Sequence, residues 1–415
     1  MLQSSKFNYY IDTDFLVLNL ISTSIIQLEE KKYRGLKENR LNVFLEEEIN
    51  ALKEMMFITR HSNEKEYYTK NKIKHKRDNR LGLTILPTTS CNARCHYCYQ
   101  GGVAATRMSL STQEKLANFI SRKAPERLHI TWFGGEPLLN PQAIEYVSDY
   151  CIKNNINFYS TIITNGYCVD EYLEKIKTDW KIRSAQITID GVGDKYNNCK
   201  NYLCEESNPF KKVINNIKKL VDNDIHVSIR MNFDINNYLD ILEAIDYIYQ
   251  EFGNHKNIRI YANNIYGEPS SYHLEDNTNL YLIIYKKLIA YGYINNIRDL
   301  RIYARDSYCF IYDEEHFVVS PQGELYKCEH AILDEETGKI GDLERGVTSQ
   351  INYDFWQKES IPYKECDNCK FWFVCLGGCK HQQYFAEYNG SQCVWIKDIL
   401  DDLIKFYYRY KEGKL

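Results

Sequence analysis

The residues best suited to chemistry in this chain are its cysteines, which number fourteen among 415 residues. Ten of them fall into two spaced groups, one early and one late in the chain. Residues 1–8 lack the basic start and apolar run of a secretory signal, so we expect a cytoplasmic protein whose thiols stay reduced. Spaced thiols in a reducing compartment predict metal or iron–sulfur binding rather than disulfides.

The early group is Cys91, Cys95 and Cys98, in a loop that follows the first predicted strand. Three thiols in so short a loop can reach three corners of one [4Fe–4S] cube, while the fourth iron stays open. An open metal position is a chemical site, by the same logic that separates catalytic from structural zinc. A zinc knuckle is the alternative, but it needs a fourth ligand, and His96 beside Cys95 is poorly placed to supply one.

The segment from residue 81 onwards alternates short β-rich runs with amphipathic helical stretches. Strands are predicted at 81–86, 128–133, 158–163, 185–189, 225–231 and 258–261, and helices at 112–121, 141–153, 170–177, 209–221 and 238–251. Repeated strand–helix alternation predicts an α/β fold with a parallel sheet. We expect this sheet to close as a partial (β/α)6 TIM-like barrel that binds ligands at the carboxyl ends of its strands.

Five segments are predicted along the chain. Residues 1–80 form a small N-terminal α+β module, with paired strands at 7–10 and 15–18 and a helix at 42–56. Residues 81–265 form the barrel core, 266–305 a bridging region, 306–400 a loop-rich cysteine domain and 401–415 a tail. In the cysteine domain, 316–320 and 324–327 predict a hairpin that delivers Cys328.

The spacing Cys91-x3-Cys95-x2-Cys98, with Tyr97 before the last cysteine, resembles the signature of the radical S-adenosylmethionine (SAM) superfamily. The resemblance implies that the amino and carboxylate groups of SAM chelate the open iron. It also implies that one electron from the cluster cleaves SAM to methionine and a 5′-deoxyadenosyl radical, which abstracts a hydrogen atom from the substrate.

Residues after the next strands look like further elements of that family. Gly134, Gly135 and Glu136 resemble its GGEP element, in which glycines let the backbone approach SAM and the glutamate accepts from its ammonium group. By the same resemblance, Asn165 and Thr188 are expected to bind the ribose and the methionyl carboxylate.

The fourth element departs from the family pattern. Lys200 stands where many relatives carry an arginine, and a lysine cannot form the bidentate carboxylate clamp of arginine. Arg230, at the end of the fifth strand beside Asn232, is the second candidate for this contact with SAM.

The late cysteine group resembles the SPASM domain, the auxiliary-cluster extension of peptide- and protein-modifying radical SAM enzymes. It consists of Cys309, Cys328, Cys366, Cys369, Cys375, Cys379 and Cys393. By position, the resemblance implies one auxiliary cluster on Cys366, Cys369, Cys375 and Cys393, and another on Cys309, Cys328 and Cys379. Together with the early site, these make three [4Fe–4S] clusters. Two zinc sites are the alternative, without histidines at ligand spacing to support them.

The cluster predicted on Cys309, Cys328 and Cys379 has only three cysteines. Relatives that close it use an eighth cysteine shortly before Cys309, and none lies between Cys204 and Cys309. Its open iron is therefore available to a substrate thiolate, because soft thiolate suits iron–sulfur iron, or alternatively to water or a non-cysteine ligand.

Glu329 directly follows Cys328. In sulfatase maturases this position holds the aspartate proposed as catalytic base, so the resemblance makes Glu329 the candidate base here. The cysteines outside the two groups are expected to be buried and inert: Cys151, Cys168, Cys199 and Cys204.

Charge and hydropathy exclude two classes of partner. A net charge of −4 gives no electrostatic footprint for nucleic acid. The apolar stretch 15–26 is short and interrupted by polar residues, so it does not span a bilayer. We expect neither a nucleic-acid nor a membrane partner.

These expectations together predict a maturase that acts on a ribosomally made precursor peptide. Its N-terminal module would dock a leader segment by adding a strand to its sheet, and flavodoxin or ferredoxin would supply electrons. A thioether between cysteine sulfur and carbon is the leading product; carbon–carbon or carbon–oxygen crosslinking and epimerisation begin with the same step. An anaerobic sulfatase maturase that forms formylglycine is the second hypothesis. An iron–sulfur scaffold protein without enzymatic activity is the third, and it does not explain the GGEP element.

Overall fold

The computed structural model describes residues 2–72, 80–203, 208–265, 274–300, 305, 309–334, 336–358, 364–381 and 397–415. The chain divides into two compact units. The terminal unit comprises Met1–His75, Ile294–Cys309 and Glu359–Leu415, and the barrel unit comprises Lys76–Tyr293 and Phe310–Lys358. Among the described residues, no helix combines the length and apolarity needed to cross a bilayer.

The terminal unit begins with short strands and helices: β1 (Gln3–Ser4), β2 (Asn8–Ile11), β3 (Leu16–Asn19), β4 (Ile25–Gln27), α1 (Glu30–Lys37), α2 (Glu46–Glu54), β5 (Ile58–Thr59) and α3 (Glu64–Lys72). Strands β2, β3 and β4 form an antiparallel sheet in that order, and β1 pairs with β5. The predicted hairpin is confirmed, with bounds one residue later than expected. Strand β4 extends it by a strand that the sequence did not indicate.

The helix predicted over 42–56 is shorter than expected. Leu41–Val43 forms a 3-10 turn, and Leu45 is extended, so α2 begins only at Glu46. The carboxylate of Glu48 accepts the main-chain N–H of Leu45 at 2.9 Å, which satisfies a donor at the helix start. The boundary is therefore set by a cap that hydrophobic periodicity does not reveal.

The barrel unit contains six parallel strands, each next in space to its neighbour in sequence. They are β6 (Arg80–Thr88), β7 (Arg127–Gly134), β8 (Phe158–Thr164), β9 (Ile182–Thr188), β10 (His226–Phe233) and β11 (Ile258–Asn264). The intervening helices are α4 (Leu110–Lys123), α5 (Pro141–Lys153), α6 (Val169–Lys177), α7 (Asp194–Lys200), α8 (Pro209–Asp222), α9 (Tyr238–Phe252) and α10 (Leu274–Ala290). This arrangement confirms the predicted α/β partial barrel.

Strand β7 shows why these sequences form a barrel wall. Leu128, Ile130 and Trp132 alternate along it and are fully buried, whereas His129 and Thr131 between them are only half-buried. Alternate side chains of a strand point to opposite faces, so one face packs into the core and the other lines a more open concavity.

The barrel sheet continues beyond β6 into the predicted hairpin. Strand β12 (His316–Val319) runs parallel to β6 and pairs antiparallel with β13 (Glu324–Tyr326), followed by β14 (Lys339–Asp342), β15 (Gly346–Val347) and helix α11 (Gln350–Gln357). The sequence predicted the hairpin but not its pairing with the first barrel strand. This pairing places Cys328 two residues after a strand of the barrel sheet.

The late cysteine segment packs onto the N-terminal residues of the terminal unit, through α12 (Trp372–Cys375), while α13 (Leu400–Lys411) closes the chain. The ring of Phe373 lies 5.1 Å from that of Phe7 and 5.9 Å from that of Tyr68, between centroids. The ammonium group of Lys65 on α3 donates to the carbonyl oxygens of Cys366 (3.2 Å) and Asp367 (2.9 Å). Helix α3 therefore holds the main chain that carries a predicted cluster ligand.

Candidate active site

The three thiols of the early group lie in the loop after β6. The N–H of Cys98 donates to the carbonyl of Cys95 at 3.1 Å, which closes a turn. Burial raises the pKa of Cys91 to about 11; the N–H of Ala93 opposes this rise, and the negative charges of Glu136, Cys95 and Cys98 add to it. A thiol must lose its proton to bind metal, and a bound cationic iron would favour the thiolate form of Cys91. The donor set fits an iron–sulfur cluster.

Within the described ranges, no three His, Cys, Asp or Glu side chains are grouped around a single metal ion. The thiolates of a four-iron cube each bind a different iron, so they stand further apart than the ligands of one zinc ion. Cys91 and Cys95 are partly buried and Cys98 is exposed. This loop therefore offers an accessible edge on which a cluster can be held.

The glycines after β7 bring a second loop against the cysteine loop. The N–H of Gly135 donates to the carbonyl of Thr88 (3.1 Å), and that of Glu136 to the carbonyl of Ser90 (2.9 Å). A Cβ atom on Gly135 would lie 2.4 Å from the carbonyl oxygens of Thr89 and Ser90. Only glycine permits this approach, so Gly135 fixes the backbone that carries the first cysteine.

Glu136 is completely buried at the junction of β7 and β8. Its carboxylate accepts from the hydroxyl of Thr164 (2.8 Å), the N–H of Asn165 (2.8 Å) and the N–H of Leu138 (3.1 Å). Burial raises its pKa from 4.5 to about 7, against the lowering effect of these donors. The structure thus gives Glu136 a positioning role between two strand ends, while its contact with the SAM ammonium stays a prediction.

Asn165 directly follows β8, and Thr188 is the last residue of the neighbouring strand β9, so both lie at the same edge of the sheet. The amide of Asn165 donates to the side-chain oxygen of Asn92 at 2.6 Å and stands 4.0 Å from the sulfur of Cys91. Thr188, half-buried, lies opposite Arg230 in the register of β9 and β10. Both residues therefore lie at the strand ends where the fold places ligands, and their contacts with SAM stay predictions.

Lys200 forms a buried ion pair that sequence reasoning missed. Its ammonium donates to Asp190 (3.0 Å) and to the hydroxyl of Tyr97 (2.7 Å), and Tyr97 also hydrogen-bonds Asp190. Burial would lower the pKa of Lys200, but the negative charges of Asp190, Tyr97 and Cys95 together outweigh it and hold that pKa well above its usual value. The other oxygen of Asp190 accepts from the N–H of Asn232 (2.7 Å). The network therefore ties the cysteine loop, through Tyr97, to the ends of β9 and β10.

Arg230 and Glu329 lie close enough in the barrel unit for their charges to interact. Burial raises the pKa of Glu329, and the positive charge of Arg230 opposes the rise. Among the described residues, one oxygen of the Glu329 carboxylate is buried and has no hydrogen-bond partner. Tyr99 carries a phenol whose pKa is raised by burial and by the negative charge of Glu329, and its ring lies 4.2 Å from that of His330.

The concave face of the barrel sheet is polar. His129 hydrogen-bonds the hydroxyl of Thr161 (3.3 Å), which in turn pairs with that of Ser184 (3.0 Å) on the next strand. The hydroxyl of Tyr261 on β11 donates to Gln186 on β9 at 2.5 Å, across the intervening strand. Hydrogen-bonding side chains thus line a face that barrels usually fill with branched apolar side chains.

The late cysteines are divided between the two units. Cys328 is buried in the barrel unit, whereas Cys309, Cys366, Cys369, Cys375 and Cys379 belong to the terminal unit. Cys393 and Cys204 lie outside the described residues. Cys199 was expected to be buried and inert, but it is only partly buried, lies 4.0 Å from a nitrogen of His96 and interacts with the charge of Cys95. The auxiliary-cluster assignments remain predictions.

Residues 85–285 match the radical SAM superfamily. With the partial barrel and the three-thiol loop at its strand ends, this match makes the chain a radical SAM enzyme. Membership implies a [4Fe–4S] cluster and SAM, and the residues described above fit both.

The chain is similar to the cysteine-type anaerobic sulfatase-maturating enzyme of Clostridium perfringens (strain 13 / Type A), with 23% identity over 341 residues, 72% of this chain and 89% of the relative. It is also similar to the radical SAM cyclopropyl synthase TigE of Paramaledivibacter caminithermalis, with 25% identity over 339 residues, 72% of this chain and 67% of the relative. A solved structure, native anSMEcpe with bound AdoMet and Cp18Cys peptide, shares the fold: its TM-score is 0.61 at 18% identity, over 81% of this chain and 99% of that chain.

The buried carboxyl of Glu136 predicts a pH-dependent stability. Between pH 4.5 and about 7 the folded state keeps a proton that the unfolded state has lost, so stability falls as pH rises through this window. We expect the free energy of unfolding to decrease by about 2.5 kcal/mol from about pH 5 to pH 8 on this account, and Glu136→Gln to remove that decrease. Urea unfolding of the reduced apoprotein measures it. The exposed Glu114→Gln is the control, and an unchanged slope in Glu136→Gln would contradict the assignment.

We predict that breaking the Lys200–Asp190 ion pair lowers the free energy of unfolding strongly. Lys200→Met leaves the Asp190 carboxylate buried without its cation, which we expect to lower the free energy of unfolding by about 3–5 kcal/mol. Lys195 on the same helix pairs with Asp240 and Glu243 in solvent, so Lys195→Met should lower the free energy of unfolding far less than Lys200→Met. Denaturant titration compares the two variants, and equal costs would refute the structural role of the buried pair.

Proposed function

We propose that this enzyme is a maturase that modifies a ribosomally synthesised precursor peptide. The observation that carries the proposal is the carboxyl group of Glu329, which directly follows Cys328 and interacts with the charge of Arg230; one of its oxygens is buried and unpartnered among the described residues. A carboxyl of raised pKa beside a predicted thiolate site is suited to accept a proton from a substrate thiol. The names of the relatives, which include a sulfatase-maturating enzyme and a cyclopropyl synthase, support a maturation reaction.

Thioether formation is the reaction that we favour. Bound SAM would supply the acceptor for one hydrogen atom from a peptide carbon. Glu329 would take the proton of the peptide's cysteine thiol as its sulfur joins that carbon. Cys309, Cys328 and Cys379 would hold an iron–sulfur cluster that accepts the one surplus electron and whose iron suits a soft thiolate.

The N-terminal module supplies a place for the leader segment of the peptide. Among the described strands, β4 pairs only with β3, so its other edge presents unpaired backbone groups. An extended peptide can add to such an edge through main-chain hydrogen bonds. Flavodoxin or ferredoxin is the proposed electron donor.

Sulfatase maturation is the second candidate. The alignment with the Clostridium perfringens enzyme spans 89% of that relative, which favours it. Glu329 in place of an aspartate and the missing eighth cysteine argue against it. Carbon–carbon or carbon–oxygen crosslinking and epimerisation remain alternatives within peptide maturation. A short cysteine-containing reading frame beside the gene would favour a precursor peptide, and a neighbouring sulfatase gene would favour formylglycine formation.

Co-expression with the neighbouring precursor tests the proposal. We expect mass spectrometry to show a loss of two hydrogen atoms per crosslink, and fragmentation to place each link on a cysteine. Cys91→Ala should abolish both this change and 5′-deoxyadenosine release. Glu329→Gln should slow crosslinking about 10²–10⁴-fold, the range for loss of a general base. The exposed Glu344→Gln is the matched control, and a precursor that the active enzyme leaves unmodified would exclude this function.

The auxiliary clusters predict the iron content. Anaerobically reconstituted protein should bind about twelve irons, as three four-iron cubes. Removal of the early cysteines should lower the count by about four, and so should Cys366→Ala combined with Cys369→Ala. Cys151→Ser, at a buried cysteine outside both groups, is the control. Four or fewer irons in active protein would rule out the auxiliary assignment.

A further inference from the structure

The terminal unit contains a cavity of about 520 Å³ that the proposed reaction does not use. It lies among the end of α2, strand β5 and the exposed side of α3. We call it the basic pocket. Met56, Ile58 and Tyr68 contribute apolar surface to its lining, and Lys53 and Arg60 contribute two cations. A cavity of this size accommodates one large side chain with its neighbouring residues.

The backbone of the basic pocket is held in a strained form. Met56 follows α2 with φ +65, a left-handed conformation that usually selects glycine or asparagine at a helix end. The N–H of Met56 donates to the carbonyl of Lys53 (3.0 Å) and that of Phe57 to the carbonyl of Leu52 (2.8 Å). These bonds fix the turn that places a methionine, a flexible apolar side chain, in the lining of the cavity. Strain of this kind concentrates at ligand sites.

Lys53 and Arg60, which line the basic pocket, are both positively charged. Neither Lys53 nor Arg60 forms an ion pair with any described residue, and no carboxylate is among the described residues that line the cavity. Lys53 donates to the neutral side chain of Asn50, at 3.0 Å. The ring of His61 stacks on that of Tyr67 at 3.5 Å, which adds a flat aromatic surface.

We propose that the basic pocket binds an acidic stretch of polypeptide that inserts one aromatic or large aliphatic side chain. The apolar lining residues take the side chain, and Lys53 and Arg60, which form no ion pair within the described part of the chain, attract flanking carboxylates. The proposal rests on the proposed function, because the precursor peptide is the polypeptide that this enzyme must hold. It adds a second contact point on the N-terminal module, away from the open edge of β4.

Synthetic peptides test the pocket without the natural precursor. The probe is a fluorescein-labelled pentapeptide with one phenylalanine between two pairs of glutamates, and its binding to the full-length protein is measured by fluorescence anisotropy at low salt. We expect about tenfold weaker binding when alanine replaces the phenylalanine, and a similar loss in the double variant Lys53→Glu, Arg60→Glu. Lys31→Glu combined with Arg34→Glu, which reverses two exposed charges of α1, should bind the probe like the unaltered protein.

Three results would overturn the proposal. They are equal binding of a probe with lysines in place of glutamates, an unchanged affinity in the double variant of the pocket, and displacement of the probe by an equal concentration of inorganic phosphate. With the natural precursor, the same double variant should raise KM about tenfold. If the unaltered enzyme modifies no precursor but binds the probe as expected, the proposed function fails and the basic pocket stands. If it modifies the precursor with unchanged KM in the variant, only the basic pocket fails.

Discussion

The whole site depends on the close contact between the backbone after β6 and the backbone after β7. Gly135 lies against the carbonyls of Thr89 and Ser90 so tightly that any side chain at this position would displace them. Cys91 is the next residue along that chain. A single methyl group here would move the first cysteine relative to the strand ends, so the position of the thiols is a consequence of backbone packing more than of any side-chain contact.

Two buried carboxyl groups near this contact, those of Glu136 and Asp190, are stabilised in different ways. Glu136 satisfies its oxygens with three neutral donors and carries a raised pKa, so it binds two strand ends without requiring a cation. Asp190 is instead paired with the ammonium group of Lys200. The stabilisation that Glu136 gives falls as pH rises through its raised pKa. Glu136 and the Asp190–Lys200 pair thus both hold loops that contain little regular secondary structure of their own.

Much of the fold could be predicted from the sequence, because the strands of the barrel alternate one buried face with one polar face. The bounds of α5 were predicted to the residue, and β9 begins three residues earlier than expected. Asp190 was missed, since its partners Tyr97 and Asn232 are brought to it by sheet order and not by sequence spacing. The grouping of the N-terminal residues with the late cysteine segment in one unit was not predicted for the same reason. Lys65, for example, contacts Cys366 over a separation of 301 residues.

The ring contact between Tyr68 and Phe373 connects the cavity beside α3 with the helix that carries a predicted cluster ligand. Tyr68 forms a wall of the cavity beside α3, and Phe373 lies in the helix that ends at Cys375. If filling the cavity favours one arrangement of these rings, then thermodynamic reciprocity requires that a cluster bound at the predicted Cys375 site in the same arrangement would tighten the hold on the inserted side chain by an equal factor.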